Sequence, residues 1–545
     1  MANRPPESLV RRLEQQGWLL ALLVFLTLAL PRLQQPVTDD EIYEVRNAER
    51  LLVGEQIHLY VPPVYDLLLA GAIYLAGNSD AALRIPGIVC ALVSMALTWV
   101  LGRQVGLTLR QCCLSLLLLA TAPAFVQGSL SVHIDNTLLV PTCLAFIVAL
   151  LAWLAHRDQT WHWGLLCSAC LALALLTKFS TPLLMVAGGG LALAWKDRTR
   201  LLGFSAIALG GVVGFAAMWW LMAGWLQLDP LDPFRFVAER ADRQRADWLV
   251  WVTTWGRNGW TLAAWFGPWV LLGGLASLRQ LKRLQTSQMI VVAAALGVFV
   301  SFPLTAINHG FPKYYLPALP LILLTLVRTY DWQLSRADLI PIAVVTSFLL
   351  LVGHEPVYFL RFEVRSLLTE GINPAVKILQ HALIWVTPAF ALILLRRWHE
   401  GQWSFPTLGR GLLVLCLASG LSLSVLQTGA GYQTNYSYGE RQTSRLVGYL
   451  RDHAAEQDVI IATQDILYRL GRHHQALADT LWRSPAAIAA RIGAVRTRFV
   501  VVSLPSQSTS LIGALDKSPL RDALAAFDPS MFGTHTLYTR RTPLP

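Results

Sequence analysis

The side chains best suited to chemistry are acids and lysines stranded among apolar segments. Asp39, Asp40 and Glu41 stand in a row, followed by Glu44, Glu49 and Glu55. Between Gln111 and His156 the one formally charged residue is Asp135, in Ser131-Val132-His133-Ile134-Asp135-Asn136. Lys178 ends the run Leu175-Leu176-Thr177-Lys178-Phe179, and Lys313 sits in His309-Gly310-Phe311-Pro312-Lys313-Tyr314-Tyr315-Leu316-Pro317. A carboxylate at a lipid–water boundary can draw a proton from a hydroxyl. A lysine at headgroup depth can hold a phosphate. A phosphate leaving group is a weak base, so it needs charge stabilisation and no general acid. Acids in two loops and cations in two others therefore suit glycosyl transfer from a lipid-linked phosphosugar.

Each residue also has a plainer explanation. Asp135 before a helix is a good N-cap. Asp39, Asp40 and Glu41 suit the positive end of an amphipathic helix whose apolar positions are Ile42, Val45, Ala48 and Leu52. Lysines at the ends of apolar helices commonly snorkel to the interface.

The elements that must position these groups follow from composition. Of 545 residues, 54% are hydrophobic and 14% charged, with a mean hydropathy of +0.48. A soluble domain carries about 25% charged residues. The composition excludes a disordered chain, a disulfide scaffold and an ordinary cytosolic enzyme, and leaves a polytopic membrane protein. A bilayer core takes about 20 mostly apolar residues per helix. Thirteen spans are predicted, at 17–30, 81–102, 111–130, 136–155, 163–177, 181–195, 201–226, 260–278, 288–306, 314–327, 339–352, 378–395 and 411–426.

The net charge of +11 would suggest nucleic acid in a soluble protein. Here it reports orientation. If 62–77, which carries Asp66, lies in the interface on the outer face, then Arg103, Arg110, Arg157, Lys196, Arg198, Arg200, Arg279, Lys282, Arg283, Arg328, Arg336, Arg396, Arg397 and Arg410 share the side of the N-terminus. That satisfies the positive-inside rule. The expectation is a cytoplasmic N-terminus, an outer loop with interfacial helices over 32–80, and no nucleic acid partner.

Residues 1–428 are read as the transmembrane domain and 429–545 as a second, extracytoplasmic one. The β-branched runs Val459-Ile460-Ile461-Ala462 and Phe499-Val500-Val501-Val502 are flanked by helical patterns over 445–453 and 485–492. That alternation predicts a small α/β domain. All seven cysteines fall in apolar spans, and the Cys167/Cys170 pair reads as small buried hydrophobes. Trp248, Trp251 and Trp255 in the loop 229–259 read as interface anchors. Arg472-His473-His474 reads as a solvated turn.

Five segments in order resemble one family. Asp40-Glu41 with Ala48, Gly54, Pro62-Pro63 and the stretch Ala81-Ala82-Leu83-Arg84-Ile85-Pro86 is similar to the start of the GT-C glycosyltransferases of the protein O-mannosyltransferase and lipid A aminoarabinose transferase type. His133 to Leu138 resembles their second acidic loop, Leu175 to Phe179 their LLTK segment, and Lys313 to Pro320 their YLLPALP segment. The resemblance covers about residues 10–330.

It implies a polyprenyl-phosphate sugar donor, membrane lipids as surroundings, and an integral protein of the bacterial inner membrane. The reaction would lie outside the cytoplasm, with a lipid, glycan or protein acceptor. Asp40 would be the catalytic base, with Glu41 beside it, and Asp135 would position the sugar or acceptor. Lys313 with Tyr314 or Tyr315, and Lys178 from another side, would hold the phosphate. Aminoarabinose-type enzymes have a basic residue before the Pro-Pro pair. Here it is Val61, so either His58 or an arginine of 235–257 replaces it, or the donor differs from aminoarabinose. No cofactor is required. A divalent metal held by Asp39, Asp40, His133 and Asp135 is the alternative that oligosaccharyltransferase-like relatives offer. A flippase of lipid-linked sugars would carry inverted repeats and midplane charges, and an O-antigen-type polymerase a large arginine-bearing outer loop. Neither matches as well.

Overall fold

The structure, a computed structural model, describes residues 7–35, 37, 39–57, 62–135, 137–156, 160–235, 259, 262–263, 265–305, 312–330, 332, 336–352, 386–389, 405–428, 443–455, 457–462, 464–471, 489–490, 492–494, 496–503, 518–532 and 535–541. His58, Val61, Trp248, Trp251, Trp255 and Arg472-His473-His474 lie outside them, as do most of 378–395 and 485–492.

The chain divides into two compact units, Met1–Gln34 with Asn47–Gln427, and Gln35–Arg46 with Thr428–Pro545. The division falls inside one helix, α2 (Asp39–Val53), which follows α1 (Glu7–Ala29). On α2, Ile42, Val45 and Ala48 are fully buried. Leu52, expected on the same face, is exposed.

The first unit continues with α3 (Val64–Ala76), α4 (Asp80–Gln104), α5 (Leu109–Thr121), α6 (Pro123–Leu130), α7 (Leu139–Ala155), α8 (Thr160–Thr177), α9 (Ser180–Lys196) and α10 (Leu201–Trp225). Then come α11 (Pro268–Ser277), α12 (Thr286–Thr305), α13 (Ala318–Tyr330), α14 (Arg336–Val352) and α15 (Phe405–Thr428). Among the described residues, three helical segments are long and apolar enough to cross a membrane: Asp80–Gln104, Arg198–Trp225 and Gly409–Leu426.

Local chemistry sets several of these ends. Ser79 caps α4 by accepting from the Ala82 N–H at 3.2 Å. Thr108 and Gln111 form a reciprocal capping box on α5. The span expected over 111–130 is broken: α5 and α6 meet at 61°. Pro123 has no N–H to continue the ladder, and a proline pushes the preceding residue out of the helical region. Ala122 is accordingly extended, with ψ 123°.

Three glycines let helices touch backbone to backbone. A Cβ on Gly188 of α9 would sit 2.1 Å from the Ala293 carbonyl oxygen, and one on Gly297 of α12 2.3 Å from that of Leu184. Gly87 does the same between α4 and α6, where a Cβ would lie 2.3 Å from the Ser129 oxygen. Small residues at such crossings are what bring apolar helices close.

The second unit holds a four-stranded sheet in the order β1-β2-β4-β3, from β1 (Val459–Ile461), β2 (Thr497–Ser503), β3 (Phe527–Phe532) and β4 (His535–Arg540). β1 runs parallel to β2, and the other pairs are antiparallel. The helices are α16 (Thr443–His453), α17 (Gln464–Arg469) and α18 (Ser518–Leu524). Successive residues of β2 point to opposite faces. Phe499 and Val501 thus join Leu446, Leu450 and Ile460 in one core, while Val500 joins Ile461 and Phe527 in another.

Candidate functional site

Asp135 lies in the turn between α6 and α7. The turn is held by its own backbone: the His133 carbonyl accepts from the Thr137 N–H at 3.2 Å and from Thr137 Oγ1 at 2.9 Å. Val132 and Ile134 are buried and anchor it. Asp135 is no helix cap. α7 starts at Leu139, later than expected, and its N-cap residue Leu138 makes no side-chain bond. The carboxylate faces elsewhere, with Oδ1 2.7 Å from Lys178 Nζ.

Lys178 reaches it because α7 and α8 pack along their length. The hydroxyls of Thr142 and Thr177 meet between the two helices at 3.4 Å. Lys178 follows the last residue of α8, and its N–H still donates to the Ala174 carbonyl at 3.0 Å. A cation also suits that end of the helix dipole.

Lys313 enters from a third element, the short 3-10 turn Pro312–Tyr315. Its Nζ is 3.2 Å from His133 Nε2. His133 Nδ1 accepts from the Asp135 N–H at 3.2 Å and lies 3.7 Å from Asp135 Oδ2. The Tyr314 ring joins the group, with Lys178 Nζ 3.8 Å and Lys313 Nζ 5.6 Å from its centroid. A 3-10 turn advances about 120° per residue, so the neighbouring Tyr315 points away. It is fully buried and stacked on Phe299, with centroids 5.5 Å apart. Of the two tyrosines, Tyr314 is the one placed beside the lysines.

The electrostatics favour an anion. One carboxylate faces two ammonium groups, which leaves the cluster with an excess of positive charge. Burial pushes the Asp135 carboxyl up, but Lys178, then His133 and Lys313, outweigh it and hold the carboxyl below the usual aspartate range. Lys313 is 5% exposed, so its charge is little screened. Among the described residues, no three His, Cys, Asp or Glu side chains gather as a metal would need. His133 and Asp135 instead each face a lysine.

Asp39 and Asp40 begin α2, and their side chains lie outside the described residues. Glu41 is on the same turn and 1% exposed. Sequence reasoning gave no role to two further buried charged residues. Asp66 of α3 accepts from Asn47 Nδ2 at 3.2 Å, and Arg84, within the Ala-Ala-Leu-Arg-Ile-Pro stretch of α4, is fully buried. The available signal was Asp66 as the one charge in α3 and Arg84 inside the apolar stretch of α4. The Cys167/Cys170 pair lies within α8, and all seven cysteines are free thiols.

Residues 60–222 match the family profile described as dolichyl-phosphate-mannose-protein mannosyltransferase. No curated protein is significantly similar in sequence. Among solved structures, ArnT from Cupriavidus metallidurans bound to undecaprenyl phosphate shares 16% identity at a TM-score of 0.57, over 97% of this chain and 99% of that one. The archaeal oligosaccharyltransferase AglB from Archaeoglobus fulgidus, in complex with an inhibitory peptide and a dolichol-phosphate, shares 12% identity at 0.51, over 97% of this chain and 75% of that one. The chain therefore has the GT-C fold and resembles the membrane glycosyltransferases of the protein O-mannosyltransferase and lipid A aminoarabinose transferase type.

Proposed function

We propose that this protein is an integral membrane glycosyltransferase. It moves a sugar from a polyprenyl-phosphate donor to an acceptor hydroxyl on the outer face of the membrane. The observation that carries this reading is the cationic group of Lys178, Lys313 and Tyr314 around one buried carboxylate, within a fold shared with a protein solved with undecaprenyl phosphate.

In the proposed reaction Asp40 takes the proton of the acceptor hydroxyl. The oxygen attacks the anomeric carbon, and the bond from that carbon to the phosphate oxygen breaks. The lipid phosphate leaves with the electron pair, held by Lys313 and the Tyr314 hydroxyl. Direct displacement inverts the anomeric centre. Asp135 keeps Lys178 in place and orients the imidazole of His133 behind Lys313. Charge at the leaving phosphate is supplied by lysines, so this scheme uses no metal or other cofactor.

Reconstitution in proteoliposomes tests the proposal, with lipid flipping and sugar transfer measured separately. Transfer without flipping is expected, and Asp40→Asn should lower it by about 10²–10⁴-fold, as loss of a general base does. Flipping without transfer would overturn the assignment.

A further inference from the structure

A groove of about 360 Å³ opens at the ends of α7, α8 and α10. α7 has 17 residues, which at about 1.5 Å per residue puts these ends roughly 25 Å from the Asp135 turn. We infer that this groove binds the headgroup of an anionic phospholipid, from the leaflet opposite the Asp135 cluster. It shares no residue with the proposed catalytic group.

Its walls explain the charge preference. The Arg200 guanidinium lies over the Trp153 ring, 5.5 Å from the centroid. Among the described residues no carboxylate pairs with Arg200. The nearby Asp197 accepts instead from Thr199 Oγ1 at 2.5 Å. α8 begins at Thr160, so one helix N-terminus with partial positive charge opens here, while α10 continues directly from the 3-10 turn Arg198–Arg200 that carries the arginine. Lys196 and Arg198 add positive charge beside it, with Nζ on the Lys282 carbonyl and Nε on that of Ala194.

Its shape explains the preference for a lipid over a soluble anion. Gly164 leaves the floor open: a Cβ there would meet Ile207 and Trp153 only at 3.7–3.8 Å. Gly203 lets Trp153 lie against the α10 backbone, since a Cβ would be 2.8 Å from its ring. The groove then runs onto bare apolar helix. The span Arg198–Trp225 is apolar yet mostly unburied, and Leu202 and Leu209 are exposed. Trp161 stands at the rim, 63% exposed, where an indole suits a headgroup boundary. A headgroup in the groove would lay its acyl chains along that surface.

The test is native mass spectrometry of the delipidated full-length protein in detergent, titrated separately with phosphatidylglycerol, phosphatidylethanolamine and inorganic phosphate. Phosphatidylglycerol should bind about tenfold tighter than phosphatidylethanolamine. Arg200→Gln should erase that preference, since a charge-assisted hydrogen bond is worth at least about tenfold. Gly164→Leu, which fills the groove and keeps every charge, should weaken binding comparably. Arg110→Gln, on another basic loop, should leave it unchanged. Equal binding of the two lipids, or a preference that survives both groove variants, would overturn the inference. Inorganic phosphate binding as tightly as phosphatidylglycerol would also overturn it, by showing a site for a soluble anion.

Discussion

Lys178 Nζ sits 2.7 Å from Asp135 Oδ1, and the two residues are 43 apart in sequence. Asp135 is nearly fully buried and Lys178 keeps 16% side-chain exposure. Removing one partner of such a pair leaves an uncompensated charge in a poorly solvated place, at about 3–5 kcal/mol. Lys178→Met and Asp135→Asn should each destabilise the protein by about 3 kcal/mol, the lower end of that range. The double variant should lose less than the sum. Detergent-solubilised thermal denaturation of the four proteins measures the coupling, and strict additivity would refute it.

The same pair sets an acid limit. A carboxyl whose folded pKa is depressed stabilises the fold above its unfolded value, about 3.9. That stability fades as pH falls from there through the lower folded value. Between pH 5 and pH 8 the Asp135 contribution should therefore be flat. Thermal stability against pH should show an acid loss below about pH 4 that shrinks in Asp135→Asn.

The two adjacent tyrosines should separate cleanly. Tyr314→Ala removes the ring under two ammonium groups and should raise KM for a polyprenyl-phosphate donor while sparing stability. Tyr314→Phe keeps the ring and should recover part of the loss. Tyr315→Ala should instead cost about 3–5 kcal/mol of stability, as loss of a buried aromatic does. Donor titrations and thermal melts on the three variants check this. A Tyr315 variant with normal stability and impaired donor binding would reverse the assignment.

Gly87 touches none of the charged side chains, yet it fixes their platform. A Cβ there would press 2.3 Å from the Ser129 oxygen, backbone that cannot rotate away. Gly87→Ala should cost about 1–3 kcal/mol by overpacking. It should also lower transfer, because α6 leads straight into the turn that bears Asp135. Melts and transfer rates of this variant test it.

Much of the helical layout is readable from apolar runs, because a bilayer demands long ones. The break at Pro123 escaped that reading, since hydropathy averaged over 111–130 hides one missing N–H. Leu52 shows a similar limit: period alone placed it with Ile42 and Val45, and it is exposed. At the site, single charges in apolar surroundings marked Asp135, Lys178 and Lys313 as unusual. Their grouping could not be read locally. Asp135 fits an N-cap by sequence, and only the packing of α7 on α8 gives its carboxylate to Lys178. The choice between Tyr314 and Tyr315 likewise depends on the turn that separates their rings.

The central claim is sugar transfer through Asp40. Comparative mass spectrometry of envelope glycolipids and glycoproteins tests it most directly, in cells with the wild-type protein, with none, and with Asp40→Asn at equal expression. The account predicts one glycan mass increment that is present with the wild type and missing from the other two. The same increment at full level with Asp40→Asn would contradict it.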